Sequence, residues 1–444
     1  MELFSSYNII IGISIVIILS FIFNGVAKKT KIPAVLLLIT LGITFQYLFK
    51  FLKTPAFDFF PLLEIIGIVG LIMIVLEAAL ELELKKEKLV PIVKALGVAA
   101  IGLIASTYAA AYILVYGFEG MTLTSALVYA TPLSILSSAI IIPSVVSLSA
   151  IKKEFHVYES TFSDILGIML FYFLVGTATS TSEENSGIGM FSLNILLTII
   201  VSLLASYLII FVFQKIQSSV KLFLLIAVLL LMYALGKKMH LSSLIIILIF
   251  GLVIANMKLF FSGKLNRFLD QEKAEIIYHQ LHIVTAETAF VVRTLFFVIF
   301  GITIALNSLL SLRVAVISVV IMISIYLIRF ILLRIVIGKD LMPQLLIAPR
   351  GLITVLLFYA IPTELTVSSF EPGILLFIII GTSMMMTWGM ISFSSGKESR
   401  LTPAEIEKYA NEEIDYLLSV TTDLSTIKEE ETDLDLDSSE SFLS

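Results

Sequence analysis

Thirteen apolar stretches follow one another down this chain, and nothing constrains its fold more. They lie near 8–27, 32–49, 61–80, 90–116, 122–146, 158–178, 190–213, 219–236, 241–257, 281–306, 312–336, 343–361 and 373–394. Roughly 20 apolar residues carry a helix across a bilayer. The chain is therefore read as an all-α polytopic membrane protein of about 13 transmembrane helices. Its composition agrees: 59% of 444 residues are hydrophobic and 14% charged, where a soluble domain carries about 25% charged residues. The length is enough for a polytopic bundle but not for a large soluble partner domain, and the expected function is secondary transport, not enzymatic catalysis.

Charge divides the chain in two. Residues 401–444 hold 13 acids and 2 lysines, a net of −11, which leaves +6 on residues 1–400 of a chain that totals −5. The first apolar run has no Lys or Arg before it and no small-residue cleavage site; Lys28, Lys29 and Lys31 follow it. It is expected to remain as the first transmembrane helix. There is no cysteine, so disulfides and thiolate-bound metals are excluded.

Thirteen crossings put the termini on opposite sides. With the N-terminus outside, the inner loops carry Lys and Arg in about threefold excess over the outer ones, the arrangement the positive-inside rule favours. The acidic tail then lies in the cytoplasm, and the expected location is the cell (inner) membrane. Residues 1–396 form the expected transmembrane domain and 397–444 the tail. In the tail, Thr402 and Glu405 form a capping box, Pro403 suits the first helical position, and Ile406, Tyr409, Ile414 and Leu417 approximate an apolar stripe. One short amphipathic helix is expected there, followed by disorder over "IKEEETDLDLDSSESFLS".

Two spans contain helix breakers. The fifth reads "TPLSILSSAIIIPS", with Pro132 and Pro143; the twelfth reads "MPQLLIAPRGLITVLLFYAIP", with Pro343, Pro349 and Gly351. Proline removes a backbone donor and clashes with the preceding turn. At membrane depth, freed backbone groups survive only where they face protein or a watery site. A pair of interrupted helices in corresponding halves points to a transporter's binding site. Spans 4–6 and 11–13 are the two matching triplets. Ordinary proline kinks packed by neighbours are the alternative.

Ionisable residues inside spans are costly and default to functional candidates. They are Glu64, Glu77, Asp164, Glu287, Arg293, Arg329, Arg334 and Arg350, with Glu159 where span 6 begins. Glu64 and Arg334 lie near span ends, where they can snorkel. Glu287 and Arg293, six apart, face different ways and are candidates for pairing. His156, His240 and His279 read as interfacial residues, and His282 as a pH-sensor candidate. In "HVYESTFSDILGIMLF", Ser160 and Asp164 are four apart and share a face, as do Glu159 and Ser163. Glu159 and Asp164 are five apart, about 140° around a helix. Two sites result. Asp164 with a hydroxyl is a hard-oxygen set for Na⁺, K⁺, Li⁺ or a proton, and competition for one carboxylate yields exchange once the site faces each side in turn. Glu159 needs a partner of its own, most cheaply an arginine on a neighbouring helix.

The stretches "LIMIVLEAALELELKKEKL", "ATPLSILSSA", "ESTFSDILGIMLF", "FVVRTLFFVIFGI" and "APRGLITVLL" resemble, in that order, the monovalent cation/proton antiporter superfamily. The NhaP-type sodium/proton exchanger branch is the nearest, and the likeness runs over roughly residues 8–394. The resemblance implies inverted repeats with crossed interrupted helices. It also implies an elevator-like homodimer in membrane lipid, with no nucleic acid and no cofactor beyond the transported ions. Core helices would lie at about 90–178 and 312–394, and dimerisation helices at about 8–80 and 190–306. Asp164 matches the aspartate that carries cation and proton, Ser160 a ligand, Thr131 the threonine of the unwound helix, and Glu77 the acid of the third helix. Glu159 matches an acid bridged to an arginine of the eleventh helix, for which Arg329 is the first candidate and Arg334 the second. Arg350 matches an arginine that balances helix-end dipoles.

Two positions depart from the family pattern. Ser163 stands where the family has Asn, and Thr131-Pro132 lacks the aspartate of Thr-Asp-Pro. Electrogenic relatives place a second aspartate at the position of Ser163, so the resemblance implies electroneutral exchange of Na⁺, or K⁺ or Li⁺, for H⁺. The alternative is a potassium-efflux channel-like protein or a transport-inactive sensor on the same fold. Such channels usually append a nucleotide-binding domain, and no G-x-G-x-x-G follows span 13.

Overall fold

The structure, a computed structural model, describes residues 6–30, 32–52, 60–82, 84, 89–179, 188–216, 221–238, 243–261, 271–304 and 311–394. The expected tail helix, His240 and the side chain of Glu64 lie outside the described residues.

Each apolar run is helical, in whole or in part, over its described residues. In chain order the helices are α1 (Ser6–Thr30), α2 (Ala34–Phe51), α3 (Phe60–Leu80), α4 (Leu89–Gly117), α5 (Leu123–Ser134), α6 (Ser138–Ser144), α7 (Ala150–Thr179), α8 (Ile188–Phe213), α9 (Lys221–Lys238), α10 (Ser243–Ala255), α11 (Met257–Phe260), α12 (Gln271–Thr303), α13 (Leu312–Val336), α14 (Leu352–Tyr359) and α15 (Gly373–Ser394). Among the described residues there is no strand, and nine helices are long and apolar enough to cross a membrane. Some helices outrun their apolar stretch. α7 has 30 residues, about 45 Å at 1.5 Å per residue, against a hydrocarbon thickness of about 30 Å. Its first turns, with Lys152, Lys153 and Glu154, therefore project past the apolar layer.

Two sets of helices pack among themselves. α4 lies against α5, α7 and α13, and α7 also touches α5 and α6. α12 lies against α1, α2 and α3, while α10 sits among α3, α8 and α9. Small residues decide the closest approach. Where α2 crosses α12, a Cβ on Gly42 would collide with the Val298 carbonyl, and one on Gly301 with the Ile39 carbonyl. Gln46 on α2 donates through Nε2 to the carbonyls of Ile302 (2.9 Å) and Ile304 (2.8 Å), which satisfies the end of α12.

Both breaker-containing spans are interrupted. The first is helical in α5 and α6 with Ile135–Ser137 extended between them, followed by a 3-10 turn at Val145–Ser147. The second runs through a 3-10 turn at Gln344–Leu346, a non-helical stretch to Gly351, then α14. The prolines do not mark both breaks. Pro132 and Pro143 sit inside α5 and α6, and the first break falls at residues whose backbone is caught by other helices.

Candidate functional site

The two breaks touch. The Ser137 N–H donates to the Pro349 carbonyl at 3.0 Å. Gly351 makes the approach possible, because a Cβ there would strike the side chains of Ser137 and Ile140.

Ending a helix inside protein leaves orphan carbonyls at one end and orphan N–H groups at the other. At the end of α5, Arg350 supplies the donors: Nε to the Leu133 carbonyl (2.9 Å) and Nη2 to the Ser134 carbonyl (3.1 Å). Its Nη1 donates to the Ala348 carbonyl within the second break, and its backbone N–H donates to Thr382 Oγ1 on α15. Beyond the break, α7 supplies the acceptors. The Leu136 N–H donates to Ser163 Oγ (3.0 Å), and the Ser138 N–H to Asp164 Oδ2 (3.2 Å). A cation thus caps the negative end of α5 and an anion meets the positive end of α6, the signs the peptide dipoles favour. Asp164 is 3% exposed, and its Oδ1 has no hydrogen-bond partner among the described residues.

The other residues expected around Asp164 are engaged elsewhere. Helical phase puts Ser160 on the aspartate's face, but its hydroxyl donates to the His156 carbonyl at 2.7 Å, one turn back in α7. The Thr131 hydroxyl likewise donates to the Leu127 carbonyl at 2.8 Å. Both hydroxyls keep lone pairs for a further contact. Glu77 faces Arg293 of α12, with Nη2 3.3 Å from Oε2, and Arg293 Nη1 donates to the Ala139 carbonyl (2.9 Å) in the first turn of α6. Glu287, the acid of α12 nearest Arg293 in sequence, is exposed.

A second cluster forms one turn from Asp164. Arg329 grips Glu159 with both arms, Nη1 to Oε1 at 2.6 Å and Nη2 to Oε2 at 3.0 Å, and also donates to the Gln344 carbonyl. His156 stands 3.0 Å from Glu159 Oε2 through Nδ1 and is 0% exposed. The expectation that His156 is interfacial is corrected: i and i+3 place it on the face of Glu159, turned into the protein. His279 is exposed, and His282 lies 3.7 Å from Glu81 at the edge of α12. Arg334 is exposed and donates to the Gly338 carbonyl, away from Glu159.

Residues 14–394 match the family model described as the transmembrane sodium/hydrogen exchanger. The chain belongs to the sodium/hydrogen exchanger family. It is similar to two structures of the sodium proton antiporter MjNhaP1 from Methanocaldococcus jannaschii. The first, determined at pH 8, has a TM-score of 0.64 at 20% identity and covers 88% of this chain and 100% of that one. The second, an electron-microscopy structure, has a TM-score of 0.61 at 20% identity and covers 88% and 96%. At that identity the likeness establishes the antiporter fold. No curated protein sequence matches the chain.

The exchanger is thus a multi-pass membrane transporter whose two crossed breaks meet beside Asp164. A cavity of about 30 Å³ lies next to them, with Ser106, Ser134, Glu159, Ser163, Arg329 and Arg350 among its lining. That is room for about one or two waters, and the lining is polar enough to hold them. Sequence reasoning missed Ser138 and Thr382, which act through a backbone N–H and a hydroxyl. For Ser138 the run "LSILSSA" was a signal; for Thr382, one of five hydroxyl residues in the apolar α15, the sequence offered none.

Proposed function

We propose that this exchanger trades one monovalent cation for one proton at Asp164. Na⁺ is the first candidate, and K⁺ and Li⁺ are the other ions that accept the same oxygens. The observation that carries the reading is a buried carboxylate with one oxygen fixed by the Ser138 N–H and the other without a partner among the described residues, where two broken helices cross. The free oxygen takes either a cation or a proton. Ser160, Thr131 and Glu77 complete the oxygen set when the ion is bound: the hydroxyls keep unused lone pairs, and Glu77 leaves Arg293 for the ion.

Competition makes the exchange obligatory. A bare carboxylate is costly to bury, and a bound cation or a proton each offsets one negative charge. Asp164 therefore crosses carrying the same net charge with either ion. Ser163 accepts a backbone N–H and cannot store a second proton. One cation for one proton, without net charge movement, follows. Arg350 and the Glu159–Arg329 pair hold the breaks in place and take no ion.

The moving body in this proposal is α4–α7 with α13–α15, and the frame is α1–α3 with α8–α12, two copies of which form a homodimer. The packing of α4 with α5, α7 and α13, and of α12 with α1, α2 and α3, supports that division. The reading orients the N-terminus outside and the C-terminus in the cytoplasm.

Proteoliposomes test it. The wild-type chain should move protons when a gradient of Na⁺, K⁺ or Li⁺ is imposed, and the rate should ignore a valinomycin-clamped potential. Asp164→Asn should abolish the flux. Undiminished flux in that variant sinks the assignment, and flux that tracks the potential favours a channel or an electrogenic carrier.

A further inference from the structure

We propose that the groove between α3 and α9 is a binding site for an anionic phospholipid. One acyl chain lies in the groove and the phosphate rests on Lys237 and Lys238.

The groove is a gap of about 450 Å³ between the two helices, within the roughly 300–1,000 Å³ typical of ligand pockets. Ile68, Val69 and Ile72 of α3 form one wall; Leu230, Tyr233 and Ala234 of α9 form the other. Ile72 and Tyr233 are buried at its floor, while Ala234 stands exposed at its rim. Lys237 and Lys238 close one end, in the last turn of α9. Both are exposed, and neither has an ion pair among the described residues.

Three features choose the occupant. Both walls belong to apolar runs that the sequence reading places in the bilayer, so the medium beside them in this proposal is lipid, and a groove left empty there would forfeit the dispersion contacts of its lining. The lining has the polarity of a hydrocarbon chain along its length and turns amphipathic only at Tyr233, the residue type that marks the headgroup level. The charge at that end is positive and doubled. Lysine is a compact point charge that pairs with phosphate from a flexible stem, and clustered lysines beside a membrane attract anionic headgroups. A zwitterionic lipid fits the walls equally well but presents no net charge to the two ammonium groups.

The measurement uses the full chain in detergent with dioleoyl phosphatidylglycerol or dioleoyl phosphatidylcholine titrated in. Bound lipid is read by native mass spectrometry and thermal unfolding, neither of which depends on transport. Phosphatidylglycerol should bind about tenfold or more tightly than phosphatidylcholine, the order expected of two basic residues at a lipid surface. The double variants Lys237→Gln/Lys238→Gln and Lys237→Glu/Lys238→Glu should erase that preference and leave phosphatidylcholine binding unchanged. Ala234→Trp, which fills the rim, should weaken both lipids. Equal preference for phosphatidylglycerol in the wild type and in the lysine variants overturns the proposal. So does cross-linking: the chain has no cysteine, so a disulfide between two Ala234→Cys copies in membranes would place a second protomer in the groove instead of lipid.

Discussion

Arg329 of α13 closes on Glu159 of α7 with two hydrogen bonds, 2.6 and 3.0 Å long, and both side chains are buried. The same guanidinium reaches the Gln344 carbonyl, where the second broken helix begins. One ion pair therefore ties α7, α13 and the second break together. Truncating one partner leaves an uncompensated buried charge, at about 3–5 kcal/mol. Arg329→Met should lower thermal stability by that order. Glu159→Met/Arg329→Met should recover part of the loss but not all, because the Gln344 carbonyl stays without its donor. Full recovery in the double variant would mean that the link to the break contributes nothing.

Arg350 differs from Arg329 in having carbonyls, not a carboxylate, as its partners. Its fork serves Leu133 and Ser134 at the end of α5 and Ala348 in the other break. Arg350→Lys keeps the charge but cannot reach all three carbonyls, and each buried polar group left unpaired costs about 1–3 kcal/mol. Arg350→Lys should lose about 2 kcal/mol or more in unfolding measurements and Arg350→Met more, with cation-driven flux falling in the same order. A fully stable, fully active Arg350→Lys would show that charge alone is what the site requires.

Ser163 holds the first break through the Leu136 N–H. Ser163→Ala removes the acceptor and should cost about 1–3 kcal/mol, while transport persists with weaker apparent cation affinity. Ser163→Thr keeps the hydroxyl, and its extra methyl has the adjoining cavity to enter. It should stay close to wild type in stability. Equal stability of the Ala and Thr variants would remove Ser163 from the support of the break.

Competition at Asp164 predicts a specific pH dependence. Each cation bound displaces one proton from the carboxylate, so acid weakens cation binding. On the acid side of the Asp164 titration, the apparent KM for the cation should rise about tenfold per pH unit; on the alkaline side it should be flat. A slope of two protons per cation would contradict one-for-one exchange, and a KM that ignores pH would move the proton to another group.

Helical phase was legible in the residue order. The apolar runs located the membrane helices, and spacing alone separated Glu159 from Asp164 on α7 and sent Glu159 in search of an arginine. The cost of ionisable groups in lipid singles out Asp164, Arg329 and Arg350 in the sequence, since so few charges lie inside the spans. Tertiary structure decided the rest. It put the first break at residues 135–137 and not at Pro132 or Pro143, because that is where Ser163, Asp164 and the Pro349 carbonyl wait for backbone donors. It gave Arg293 to Glu77 and left Glu287 exposed, and it turned His156 inward onto Glu159. The physical reason is common to all of these. Periodicity along a helix determines which side chains share a face, whereas a hydrogen-bond partner depends on which orphaned groups of a distant segment that face meets. Arg350 and the Leu133 carbonyl are 217 positions apart, and only the crossing of the two breaks brings them together.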